Sequence, residues 1–196
     1  MNIFKYESYK EYKENQVKAN KRKLDRIWAL EEPIIFISDY IKKNIPDAEQ
    51  GICHGVRNGW EVEKFKKYLD FKITGTELSD TANSFENVIE WDFHQTKDDW
   101  LDSIDFIYSN SLDHSYKPEF CVQQWLKCLK PEIGRCFIEW GKSHNKGFGK
   151  VDCFSADKKD YEQIISSVGE IEDVINITSK CRTQGTRKTC IFIVKR

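Results

Sequence analysis

The sequence has almost no net charge, since 31 Lys and Arg stand against 32 Asp and Glu. No global field therefore favours nucleic acid or an anionic membrane. It lacks any apolar run near the roughly eighteen residues that a spanning helix needs. The first residues, with Asn2, Phe4, Lys5 and Tyr6 among them, hold no apolar stretch of the signal-peptide kind. Also absent are C-x-x-C and H-x-x-x-H spacings, internal repeats and low-complexity segments beyond the charged N-terminus. The seven cysteines (Cys53, Cys121, Cys128, Cys136, Cys153, Cys181, Cys190) are odd in number and several lie in apolar runs, so reduced, buried thiols are expected. The four histidines His54, His94, His114 and His144 are far apart, and no metal site is expected from them. These absences leave a soluble, cytoplasmic protein as the expectation.

What is present is core-forming material. At 196 residues, with 13% aromatics and six Trp, the chain can bury the core of about one domain and is not disordered. Residues 1 to about 30 are polar and helix-prone. Tyr6, Tyr9 and Tyr12 form a weak apolar stripe, and Lys18, Lys21, Arg22, Lys23 and Arg26 a basic one. This segment reads as a solvated lead-in helix, or as a lid or basic surface over a site for an anionic ligand. An amphipathic helix follows over Ile34 to Ile45 and stops at Pro46.

Beyond Pro46, strands are predicted at 50–55, 71–77, 87–92, 104–109, 135–140, 171–177 and 189–194. Helical stripes separate several of them. One begins just after Gly59, one runs from Pro118 to before Pro131, and one is capped by Asp157 and closed by Gly169. Alternating strands and helices predict a mostly parallel sheet. Only a basic, Gly-containing turn (Lys180 to Lys188) precedes the last strand, which must then run antiparallel. The expected fold is α/β: a Rossmann-like seven-stranded sheet with a reversed last strand and helices on both faces. It divides into a helical extension over 1–45 and a sheet domain over 46–196.

In such a sheet the ligand sits at the carboxyl ends of the strands. The first such loop, Cys53-His54-Gly55-Val56-Arg57-Asn58-Gly59, has two glycines and opens a helix whose free N–H groups suit an anion. It matches neither the dinucleotide fingerprint nor the P-loop. The second strand ends in Glu77-Leu78, where a carboxylate can accept from a ribose diol. The third ends in Asp92-Phe93, able to hold and stack on an adenine. The fourth leads into Ser109-Asn110-Ser111-Leu112-Asp113-His114, an acid beside an imidazole that can take a proton near neutral pH. Each also has a plain structural alternative, namely turn glycines, a surface acid or a turn cap.

Together these loops, with Leu129-Lys130-Pro131-Glu132-Ile133-Gly134 before the fifth strand, resemble the class I S-adenosylmethionine-dependent methyltransferases over roughly residues 46–196. Leu112-Asp113-His114 resembles the L-E-H of members that methylate small molecules. The resemblance implies S-adenosyl-L-methionine as cofactor, with S-adenosyl-L-homocysteine as product. It places Gly55 and Gly59 against the methionine part and the ribose, Glu77 on the ribose hydroxyls and Asp92 with Phe93 on the adenine. Ser109, Asn110 and Ser111 fall beside the methionine moiety, and His114 beside the methyl group. Three departures stand out: Cys53 replaces an acid, Arg57 a glycine, and Glu132-Ile133 interrupts the final turn. Cys53 and His54 still belong to the cofactor loop by position, and Arg57 can reach the methionine carboxylate.

The expected function is methyl transfer to an O or N atom of a small-molecule acceptor, with His114 as base and Asp113 as its partner. The acceptor pocket falls to the N-terminal helices and Trp140 to Phe154, where Gly141, Gly147 and Gly149 allow movement and His144 is a second base candidate. Three other readings remain: a non-catalytic adenosyl- or nucleotide-binding module, a protein or nucleic-acid methyltransferase, and a nicotinamide-dependent enzyme, which fits the first loop poorly. No membrane partner is expected, nucleic acid is disfavoured, and an exposed aromatic N-terminus would suit a homodimer.

Overall fold

A computed structural model describes residues 1–145, 148–181 and 185–196, without the side chains of Asn145 and Cys181. Gly147 and the centre of the predicted basic turn, 182–184, lie outside the described residues. Five parallel strands are β2 (Gln50–His54), β3 (Lys72–Glu77), β4 (Val88–Glu90), β5 (Phe106–Ser109) and β6 (Arg135–Gly141). They join β8 (Glu170–Cys181) and β9 (Gly185–Lys195) in one sheet of order β4-β3-β2-β5-β6-β9-β8, with β9 antiparallel to both neighbours. The seven expected strands are all present. The last two are longer than predicted, because the hairpin ladder continues through Lys180–Thr186 and most of the expected turn is strand.

Apolar periodicity decides where the helices pack. α2 (Glu31–Asn44) and α3 (Trp60–Tyr68) bury Ile34, Ile37, Ile41, Val62 and Phe65 on one face of the sheet. α4 (Pro118–Cys128) and α5 (Lys158–Val168) bury Val122, Trp125, Tyr161 and Ile165 on the other. Asp157 caps α5 as expected, accepting from Asp160 N at 2.8 Å. Gly169 closes α5 as expected, its N–H donating to the Ile165 carbonyl at 2.9 Å from an extended backbone, and a Cβ there would stand 2.5 Å from Leu126 Cδ1. The crossovers around β4 hold only short 3-10 turns (Asp80–Ser84 and Asp98–Trp100). Gly141, expected in a mobile segment, is the last residue of β6 and pairs with Thr189.

The sequence reading did not foresee a two-stranded sheet joining β1 (Asn2–Ile3) to β7 (Phe154–Ser155). It fixes the N-terminal residues to the segment after β6, and α1 (Tyr9–Arg22) follows from there over the carboxyl ends of the strands. Tyr12 is buried against His94 and Tyr116, so α1 is not a solvated helix. Tyr12 thus faces the body of the protein, while Tyr9 stays 44% exposed. Six cysteines are buried and unpaired, and among the described residues no helix is long and apolar enough to cross a membrane.

Candidate active site

The strand order reverses between β2 and β5, and the loops leaving these strands meet there: Ser111 Oγ donates to the Gly55 carbonyl at 3.1 Å. Gly55 has φ +73°, a conformation that favours glycine. Arg57 stands where the resemblance expects a second glycine, yet it takes the same left-handed region at φ +46°. Glu132 does so in the final turn at φ +67°. Both substitutions keep the backbone path and carry the strain of a side chain there, of order 1–3 kcal/mol each.

Two adjoining cavities open at this point, with empty volumes of about 580 and 870 Å³. Gly55, Arg57, Ser111 and His114 border both. The first is roofed by Tyr12, Gln16, Ala19 and Asn20 of α1 and walled by Thr76, Glu77, Leu78, Trp91 and Phe93. The second adds Arg26, Glu61, Asn110, Asp113, His144, Asp152 and Arg187. The roof is tied down by hydrogen bonds, Gln16 donating to the Val151 carbonyl at 2.8 Å and Tyr12 to that of His114 at 3.2 Å, and by ion pairs of Lys13 with Glu90 and Glu11 with Lys150.

Glu77 lines the first cavity. Its two oxygens accept from the backbone amides of Arg57 and Ser79, each at 3.1 Å. Burial raises its pKa despite those bonds, and each oxygen keeps acceptor capacity towards the cavity.

Several expected cofactor residues are elsewhere. Cys53 is fully buried in the core beneath the loop. His54 is buried too, stacked on Trp125 and bonded to Thr76 Oγ1 at 2.8 Å, with its pKa pushed down to about 3 by burial and then by His94. Gly59 caps α3 and packs against Val88, away from the cavities. Ser109 is spent on the His54 carbonyl. Asp92 does not reach for a ligand: His94 N and Nδ1 take one oxygen at 2.9 and 2.7 Å, and Tyr9 OH takes the other at 2.8 Å. Burial opposes its charge, but the bonds from His94 hold its pKa below the usual value. His94 Nε2 lies 2.8 Å from Ser115 Oγ, so this relay anchors α1 to the sheet.

His114 is held by a partner other than Asp113. Its Nδ1 lies 3.0 Å from the Val151 carbonyl, which can only accept, so Nδ1 carries the proton and Nε2 a free lone pair. A carboxylate of the neighbouring segment, Asp152, is 3.9 Å from the same Nδ1. The expected Asp113–His114 pairing is thus replaced by a backbone carbonyl on the far side of the cleft.

Sequence reasoning missed Asn20, Gln16, Glu61 and Asp152, because no motif spacing marks them. Asn20 is buried, accepts from Thr81 through Oδ1 at 2.8 Å, and has no partner for Nδ2 at the edge of the first cavity. Glu61, in the first turn of α3, is buried close to Cys53, and burial raises its pKa to about 7. It brings a carboxyl near Cys53, where the resemblance expects an acid. A folded-state pKa above the unfolded value means stability that is present at low pH and lost as pH rises from about 4.5 to 7. The loss is of order 3 kcal/mol at most. Glu61→Gln is therefore expected to raise the melting temperature at pH 8 and leave it unchanged near pH 4, as thermal unfolding at the two pH values will show.

No family model matches the sequence, and no curated protein does. Solved structures do match. A Burkholderia thailandensis 1,6-didemethyltoxoflavin-N1-methyltransferase, solved with its substrate and S-adenosylhomocysteine, is 10% identical with a TM-score of 0.73, over 98% of this chain and 92% of that one. A Streptomyces coelicolor geranyl diphosphate C-methyltransferase, solved with Mg²⁺, geranyl diphosphate and S-adenosylhomocysteine, is 10% identical at 0.68, over 94% and 98%. The [4+2]-cyclase SpnF is 12% identical at 0.59, over 81% and 79%. The chain thus has the Rossmann-like fold found in S-adenosylmethionine-dependent methyltransferases, and that fold also houses a cyclase.

Proposed function

We propose that the chain is an S-adenosylmethionine-dependent methyltransferase that moves a methyl group to an O or N atom of a small-molecule acceptor. The observation that carries this reading is the meeting of Glu77, the Gly55 turn and His114 around adjoining cavities at the switch in strand order. When bound, the cofactor supplies an electrophilic methyl group for an in-line displacement. Glu77 accepts from the ribose hydroxyls, and Trp91 and Phe93 offer apolar walls for the adenine in place of the expected bond to Asp92. Arg57, which borders both cavities and has no carboxylate within ion-pair distance among the described residues, takes the methionine carboxylate. The unpartnered Nδ2 of Asn20 fits a buried site built for a polar ligand, since an orphaned donor costs free energy until something accepts from it. Asn20→Ala should weaken S-adenosylhomocysteine binding about fivefold to tenfold, for a bond of order 1 kcal/mol, measured by calorimetry.

On the acceptor side, Nε2 of His114 is free to take the acceptor's proton, and α1 with the segment through Val151 excludes water. Residues 1–45 act in part as a lid, with α1 opening to admit ligands. The basic stretch favours a small ligand over a nucleic acid. Lys23 and Arg26 border the cavities, and Lys21 is paired with Asp80 at 2.8 Å, so part of the stretch is not free to meet a phosphate backbone. Reduced, buried thiols suit a cytoplasmic enzyme. Incubation with methyl-labelled S-adenosylmethionine and fractionated small-molecule extracts tests the reading. Label in a low-molecular-weight product, lost in His114→Ala, is the expected result, whereas label only in protein or nucleic acid would overturn it.

A further inference from the structure

The acceptor cavity contains a constellation that methyl transfer alone does not require. Asp113 and His114, after β5, and Asp152, before β7, each offer one ligand atom, and the three atoms lie within 4.8 Å of one another. Opposite ligands of a six-coordinate cation with bonds near 2.1 Å stand about 4.2 Å apart, so little movement separates this arrangement from a bound ion. His144, from the 3-10 turn after β6, adds a buried donor: the side chain lines the same cavity, is 7% exposed, and its Nδ1 has no hydrogen-bond partner. Burial keeps its imidazole neutral, the form that binds metals, and the charged groups around it are Asp113, Asp152, His114 and Arg187. Asp113 adds a buried carboxylate oxygen that is also unpartnered. Arg187 does not neutralise these acids, since its Nη1 donates to the Trp28 carbonyl and it forms no ion pair among the described residues.

We infer that Asp113, His114 and Asp152, with His144 alongside, bind one divalent cation in the acceptor cavity. The donor set commits the site to a first-row ion of the Mn²⁺, Fe²⁺ or Zn²⁺ kind. Two carboxylates with imidazole suit these ions, whereas Ca²⁺ takes six to eight oxygens and Cu⁺ prefers sulfur. No spacing in the sequence marks this site. Distant residues form the site because the β5 loop and the segment before β7 face each other across the cleft. Cation binding stands apart from the methyl-transfer reading, but its use rests on that reading. A cation here would coordinate an acceptor hydroxyl or carboxylate and ease loss of the hydroxyl proton to solvent; with the cation bound His114 is a ligand, so the base role of its Nε2 belongs to the metal-free site.

The test is a Mn²⁺ titration of the chelator-stripped full chain, followed by the paramagnetic resonance signal of free Mn²⁺, with S-adenosylhomocysteine binding measured on the same preparations. One Mn²⁺ per chain is expected, displaced by Zn²⁺ and weakened at least tenfold in both Asp152→Asn and Asp113→Asn, with circular dichroism confirming that the variants fold. A free signal that tracks added Mn²⁺ to millimolar levels in the folded wild-type chain would overturn the site, marking a water-filled polar void. Binding that is unchanged in Asp152→Asn would overturn it as well. Adenosyl binding without Mn²⁺ binding removes the cation site and spares the methyltransferase reading. Mn²⁺ binding without adenosyl binding supports the site and removes its proposed use.

Discussion

Glu77→Ala is expected to weaken S-adenosylhomocysteine binding by roughly 10- to 100-fold, as hydrogen bonds to a charged group contribute about 1.5–3 kcal/mol. The carboxylate sits at the end of β3, with one backbone amide on each oxygen and its remaining acceptor capacity towards the first cavity. Removing it takes away the proposed partner of the ribose and also frees the Arg57 amide, loosening the strained turn at Arg57. Calorimetry on the folded variant measures the effect. Glu77→Gln should lose less, because one oxygen remains and the amide group can still donate to a ribose oxygen. Equal affinity in wild type and Glu77→Ala would remove the ribose assignment.

His114→Ala is expected to lower turnover of a small acceptor by about 10²–10⁴-fold, the usual contribution of a positioned acid or base. Its effect on S-adenosylhomocysteine affinity should stay within a few-fold, because His114 lies where the first cavity, the proposed cofactor site, meets the second. The geometry behind this is the Val151 carbonyl, which holds the proton on Nδ1 and leaves Nε2 as the free acceptor. A variant that loses binding and rate in equal measure would mark His114 as a structural side chain.

The fold was legible because period and punctuation agreed along the chain. Pro118, Asp157 and the apolar stripes located the helices, and the short link before the last strand dictated its reversal. What escaped was long-range. Nothing in local sequence shows that Asn2–Ile3 pairs with Phe154–Ser155, and that pairing places α1 over the site. The site divided in the same way. Glu77, Leu78, Phe93, Asn110, Ser111 and His114 line the two cavities because each lies at or just after a strand end. Strand-end position does not say which way a side chain turns, so Cys53 and His54 fell into the core and Asp92 into a bond with His94. Asn20 and Asp152 became visible only once the roof was in place.

The central claim is that the cavities at the switch point hold an adenosyl cofactor. Calorimetric titration of the wild-type chain with S-adenosylmethionine and S-adenosylhomocysteine, with NAD as control, tests it most directly. Micromolar binding of both adenosyl compounds at one site per chain, with none of NAD, is the predicted result. A well-folded chain that binds neither would contradict the account and mark Cys53 and Arg57 as signs of a lost cofactor site.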